Sequence, residues 1–145
     1  MRCLSIRQPW AELIIGGEKA VENRTWRPGG VRRIGVHVSL RDDDQAPALP
    51  AIAGGFPPAQ RVDRAIRDRG HVIETVLVTG YHPHDDDSCQ CDGFFGQHAA
   101  GLFHWILSDP HRFVTPIRAK GALGLWEAGP SLADLIRREE LEWEQ

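Results

Sequence analysis

The chain has no run of apolar residues near the ~20 needed to cross a bilayer, and no apolar stretch of secretory-signal type at its start. Cysteine is scarce and odd in number, with Cys3, Cys89 and Cys91 only. That argues against a disulfide scaffold and for a reducing, cytoplasmic setting. Lysine is nearly absent, at 19 and 120 only, so the basic charge is almost all arginine. Codon usage in a GC-rich genome produces the same bias, so arginine abundance carries no recognition argument. There is no phosphate-binding Walker loop, no Gly-rich dinucleotide fingerprint and no G-x-S-x-G elbow, which removes three large enzyme classes from view.

What remains is a 145-residue chain with 41% hydrophobic and 26% charged residues, the balance of one ordinary globular domain. Net charge is −3, but it is unevenly spread. Residues 1–41 carry eight basic groups against three acidic ones, a balance of +5, so the remainder carries −8. Acid collects at Asp42–Asp44, at Asp85–Asp87 and near the C-terminus. A basic N-terminal region beside acidic loops suits a local site for an anionic ligand better than a broad duplex-binding face.

Periodicity gives the elements. Arg2 to Ile6 reads as a strand, and Pro9 suits the first turn of a helix whose Trp10, Leu13 and Ile14 form an apolar stripe ended by Gly16-Gly17. Ala20 to Trp26 and Arg32 to Ser39 read as strands, the latter alternating through Ile34, Val36 and Val38. Residues 40–58, rich in proline, read as a loop, and Pro58 to Arg69 as a short charged helix. His71 to Tyr81 is the longest predicted strand, 82–100 is irregular, and Gly101 to Leu107 and Ala122 to Glu127 are further strands. Ser131 to Trp143 closes the chain as a helix capped by Ser131 with Asp134. The expected architecture is α+β, a small mixed β-barrel decorated by about three helices. The barrel would occupy 1–128 and the C-terminal helix 129–145 of a single domain.

Three groups of residues carry chemistry. The first is Gly17-Glu18-Lys19-Ala20-Val21-Glu22-Asn23-Arg24. Residues two apart on a strand share a face, so Glu22 and Arg24 point together, and Lys19 reaches over them from the turn. Upstream, Ser5, Arg7, Gln8 and Trp10 add a hydroxyl, a guanidinium, an amide and a flat aromatic surface. That inventory grips a small polar ring or a nucleotide. Lys19 and Glu22 are the candidate acid/base pair, with Glu74 on the apolar strand as a weaker third member. The alternative is an ion pair that orders the barrel mouth.

The second group is His82, His84, Asp85–Asp87, Cys89 and Cys91, with His98 and His104 nearby. Cys-x-Cys is not the usual zinc-knuckle spacing and no second cysteine pair exists, so no metal or other cofactor is expected. The third is aromatic. Trp10 and Trp26 flank the charged motif and are better stacking candidates than Phe103, Trp105 or Trp126, of which Trp126 reads as core. Cys3 lies mid-strand, a poor place for a nucleophile.

Four pieces resemble the ASCH domain family, a branch of the PUA-like β-barrels. They are S-I-R-Q-P-W-A at Ser5–Ala11, G-x-K-x-x-E-x-R at Gly17–Arg24, H-x-S at His37–Ser39, and G-L-F-H-W-I-L-S-D-P at Gly101–Pro110 followed by K-G-A-L-G-L-W at Lys120–Trp126. The resemblance implies a PUA-like barrel that binds single-stranded RNA or a nucleoside or nucleotide in a cleft beside the N-terminal helix. It adds His37 and Ser39 to the ligand-binding set. It also implies two enzymatic alternatives: hydrolysis of an acylated nucleoside, and metal-independent RNA cleavage. Relatives described as amidohydrolases on N-acetylated cytidine match at G-x-K and place threonine, as nucleophile, where this chain has Glu22.

Overall fold

In the computed structural model, residues 1–30, 32–44, 59–83 and 102–145 are described. Among these residues six strands and three helices follow in the order β1 (Arg2–Ile6), α1 (Trp10–Ile15), β2 (Val21–Arg24), β3 (Arg32–Val38), α2 (Ala59–Arg67), β4 (His71–Pro83), β5 (Phe103–Arg118), β6 (Leu125–Glu127) and α3 (Pro130–Trp143). The strands form one mixed sheet in the order β2-β5-β4-β3-β1-β6, curled into a half-barrel. β1 runs parallel to β3, and every other neighbouring pair is antiparallel.

The curl has local causes. The β4–β5 ladder slips three times, between Val72 and Glu74, Thr75 and Leu77, and Val78 and Gly80. Each extra residue bends its strand and raises the local twist. The second slip takes up Asp109 and Pro110, with Asp109 at φ 51°. Ser108-Asp109-Pro110, expected to end a strand at Leu107, is therefore a bulge, and β5 continues to Arg118.

Two apolar clusters cover the sheet. Alternation in β1 sends Leu4 and Ile6 to one and Cys3 to the other. The larger joins Leu4 and Ile6 to Ile14 of α1, to Ile34, Val36 and Val38 of β3, and to Trp105. The smaller joins Cys3, Val72, Phe113 and Ile117 to Ile136, the fully buried residue of α3. Burial pushes the Cys3 thiol up to about 11, against the smaller pull of the N-terminal charge, so it stays protonated.

The helix ends differ from expectation in two places. Pro9 is the N-cap of α1 rather than a first-turn residue. α3 starts at Pro130 behind Gly129 with no side-chain cap, and Asp134 instead accepts from Arg137 at 2.8 Å. Pro130 needs no donor there because the first N–H of a helix has no intrahelical partner. α1 ends as expected: Gly16 caps it and Gly17, at φ 80°, turns the chain toward β2. That turn delivers Lys19 to the mouth of the sheet. Residues 45–58 and 84–101, including the predicted proline-rich loop beyond Asp44 and the His84–Cys91 group, lie outside the described residues.

Candidate functional site

A cleft of about 540 Å³ opens between α1, the end of β1, β2 and the loop before β6. That is within the roughly 300–1,000 Å³ of small-molecule sites. Ser5, Arg7, Trp10, Lys19, Glu22 and Arg24 line it together, with Ser39 and Asp43 from the segment after β3 and Ala122–Gly124 from the loop.

Its floor is a three-part charge cluster. Lys19 donates through Nζ to Glu22 Oε2 at 3.1 Å and also contacts the Val21 carbonyl oxygen. Arg24 donates through Nε to Glu22 Oε1 at 3.1 Å and through Nη2 to the Ser5 carbonyl at 3.0 Å. Lys19 and Glu22 are 6% and 7% exposed, which is rare for charged side chains unless they are paired. Among the described residues each Glu22 oxygen is engaged once and keeps acceptor capacity, and Lys19 and Arg24 keep unused N–H groups. Donors and acceptors thus sit side by side at the bottom of the cleft.

Trp10 forms one wall. Its indole N–H donates to Asp43 Oδ2 at 2.8 Å, and the Lys19 ammonium lies 5.8 Å from its ring centroid. Asp43 was hidden in an acidic run that reads as solvated. Only the return of the chain after β3, where the Asp43 N–H bonds the Gln8 carbonyl at 2.7 Å, brings it under the indole.

Two predicted ligand residues do not line this cleft. Gln8 is fully buried; its amide donates to the Ala65 carbonyl at 3.1 Å and its oxygen accepts from the Glu12 N–H at 2.9 Å. Its side chain ties α1 to α2. His37 lies behind Ser5. Its Nε2 is 2.8 Å from the Ala119 carbonyl, so it must carry the proton and donate; Nδ1 then accepts from the Ser5 hydroxyl at 3.0 Å. Ser5 Oγ in turn accepts from the Trp126 indole at 3.1 Å. Burial pushes the His37 pKa below its ordinary 6.5, although the bond to Ala119 opposes this, and the neutral imidazole fits the chain of donors. Gly121 closes over the pair: a Cβ there would lie 2.5 Å from His37 Cε1 and 2.6 Å from Ser5 Oγ, too close for any other residue.

Glu74 is also elsewhere. It is fully buried, opposite Arg112 in the β4–β5 ladder, within electrostatic reach of Glu12 and Asp68. Neither carboxylate oxygen has a hydrogen-bond partner among the described residues. Burial drives its pKa well above 4.5, with Arg112 pulling against it and the two neighbouring acids adding to it. The alternation along β4 breaks at the slip between Val72 and Glu74: Val72 packs in the smaller cluster, Ile73, Val76 and Val78 in the larger.

Of the stacking candidates, Trp26 packs edge-on to Trp105 at 4.8 Å against the larger cluster and does not line the cleft. Trp126 packs on the smaller cluster. The His82 and His104 rings meet edge to face, with centroids 5.0 Å apart. No group of three or more His, Cys, Asp or Glu among the described residues is placed to hold a metal, and no helix among them is long and apolar enough to cross a membrane.

The fold and cleft define a small α+β half-barrel module with a charged pocket at one end. Residues 4–80, more than half of the chain, match the ASCH domain, and the chain belongs to the ASCH domain family. Among solved structures it is similar to ASCH from Zymomonas mobilis, at 14% identity and a TM-score of 0.54 over 94% of this chain and 93% of that one. At that identity the likeness speaks for the fold. No curated protein sequence matches the chain.

Proposed function

We propose that this chain binds a nucleotide unit, as a free nucleoside or nucleotide or within single-stranded RNA, in the cleft beside α1. One observation carries the reading: Trp10, Arg7 and the Lys19–Glu22–Arg24 cluster line the same cleft. An aromatic wall suits a base, which presents a π-face whatever its identity. Adjacent carboxylate, ammonium and guanidinium groups suit the donor and acceptor edge of such a base. Arg7, exposed at the rim, suits a phosphate. The ASCH family is generally associated with RNA binding, which agrees with this chemistry.

Titration of nucleosides, nucleotides and short single-stranded RNAs against wild type, Lys19→Met and Arg24→Ala tests it. Both variants should bind more weakly, and equal affinities across three folded proteins would make the cluster purely structural.

The 3.1 Å contact between Lys19 and Glu22 at the cleft floor favours a second, enzymatic reading, in which that pair acts as acid and base. Release of acetate from N-acetylcytidine would indicate hydrolysis of an acylated nucleoside. Shortening of RNA in the presence of chelator would indicate metal-independent cleavage. Neither product, with binding retained, leaves a binding module.

A further inference from the structure

Next to the cleft lies a second groove of about 880 Å³. The two share Ser5, Arg7, Ser39, Ala122 and Leu123, so they adjoin across a common wall whose crest is Leu123, 98% exposed. The electrostatics change across that wall. In the cleft, both motif cations are tied to Glu22. The groove is lined by Arg7, Arg41, Arg69, Arg118 and Lys120, with His37 at its base, and by no carboxylate among the described residues.

Arg69 is held by Asp42 through two bonds of 2.9 and 2.6 Å. The side chains of Arg7, Arg41, Arg118 and Lys120 make no hydrogen bond or ion pair among the described residues, and all four are exposed. Four uncompensated cations repel one another, and the two acid-rich neighbours in sequence, Asp43 and Asp44, do not line the groove. The residues come from four separate segments: the end of β1, the turn after β3, the end of β5 and the loop before β6. Only the fold assembles them, beside a cleft that suits a base.

From this we infer that the cleft's ligand is a strand rather than an isolated nucleotide: one base enters the cleft, and the phosphates of its neighbours lie along Arg7, Arg41, Arg118 and Lys120. The inference rests on the reading of the cleft given above. A free nucleoside fills the cleft and leaves the groove unused. A strand crossing Leu123 satisfies both, since each adjacent nucleotide brings a phosphate to an unpaired cation and the leucine meets ring faces rather than water.

The probes are the four ribonucleoside 5′-monophosphates and mixed-sequence tetraribonucleotides. They are titrated into wild type and an Arg118→Ala/Lys120→Ala double variant at 50–200 mM salt. Both residues are exposed, and a thermal melt confirms folding; Arg41→Ala is the second variant if it does not. Wild type should bind tetranucleotides at least tenfold more tightly than mononucleotides. The double variant should lose that advantage, keep its mononucleotide affinity, and show a log affinity against log salt slope shallower by about 1.4, the value for two phosphate contacts on a single strand. Equal affinity of wild type for both probes, or an unchanged advantage and slope in the double variant, overturns the strand and leaves the cleft intact. If neither probe binds any of the proteins, the cleft reading itself fails, and the strand with it.

Discussion

Two charge clusters in this molecule use the same ingredients to opposite ends. In one, Glu22 is gripped by Lys19 and Arg24. In the other, Glu12 of α1 is gripped by Arg61 at 2.8 Å and Arg64 at 2.9 Å, with Arg112 at 3.7 Å, while Arg112 also holds Asp68 at 2.8 Å. Both central glutamates are nearly buried. Around Glu12 the partners come from α2 and β5 and close the gap, so the cluster fastens α1 and α2 to the sheet. Around Glu22 the partners come from the same short segment, and the opposite side is left to a 540 Å³ cleft. Convergence of charge does not by itself make a site; an open volume facing that charge does.

The largest expected effect is on stability, in the closed cluster. Glu12→Ala leaves Arg61, Arg64 and Arg112 facing one another without their shared carboxylate, and should lower the unfolding free energy by ~3–5 kcal/mol in a denaturant titration. Arg24→Ala comes next and should appear mainly in binding. It removes one contact to the ligand and leaves Glu22 half-compensated beside it, for a loss of ~2–4 kcal/mol in affinity. Glu22→Gln keeps the shape and should cost ~1–3 kcal/mol of stability. If Glu12 and Glu22 variants lose equal stability and Arg24→Ala binds normally, the contrast between closed and open clusters is broken.

Smaller effects follow from two buried titratable groups. Folding raises the Glu74 pKa, so its contribution is most favourable below 4.5, where folded and unfolded chains are both protonated, and is lost as pH rises toward the folded value. Glu74→Gln, which mimics the protonated acid, should therefore raise the melting temperature at pH 7–8, with the gain shrinking toward pH 4. A melting temperature that falls at neutral pH would mean an ionised Glu74 stabilised by Arg112. His37 runs the other way. Its pKa is lowered on folding, so its contribution is full above 6.5 and is lost as pH falls through the depressed folded value. Melts of wild type and His37→Gln between pH 7.5 and 5 should diverge least at the acid end.

Much of this is legible in the sequence. The 3.6-residue stripe of α1, the glycine stop at Gly16-Gly17 and the alternation in β3 are local signals that local geometry obeys. So is the i, i+2 pairing of Glu22 with Arg24, seen at 3.1 Å. What failed was decided at long range. Gln8 and Trp10 are equally polar-edged in sequence, yet one side chain turns inward to Ala65 of α2 and the other borders the cleft, a difference set by partners far away in the chain. The full length of β5 was hidden because Asp109-Pro110 reads as a turn unless a bulge absorbs it. The second groove left no trace in spacing, since Arg41, Arg69, Arg118 and Lys120 are scattered over eighty residues.

The central claim is that the cleft beside α1 is where a nucleotide sits, and the five tryptophan indoles give it a direct readout. Trp10 borders the cleft with its N–H on Asp43; Trp105 is fully buried with its N–H on the Trp26 carbonyl at 3.0 Å; Trp143 stacks on His111 at the far end of α3. In ¹H–¹⁵N spectra recorded while a short single-stranded RNA is titrated in, the Trp10 indole resonance and the backbone amides of residues 5–7, 19–24 and 122–124 should shift together with one affinity. The Trp105 and Trp143 indoles should stay in place. Shifts at Trp143 or Trp105 with Trp10 unmoved would contradict the account.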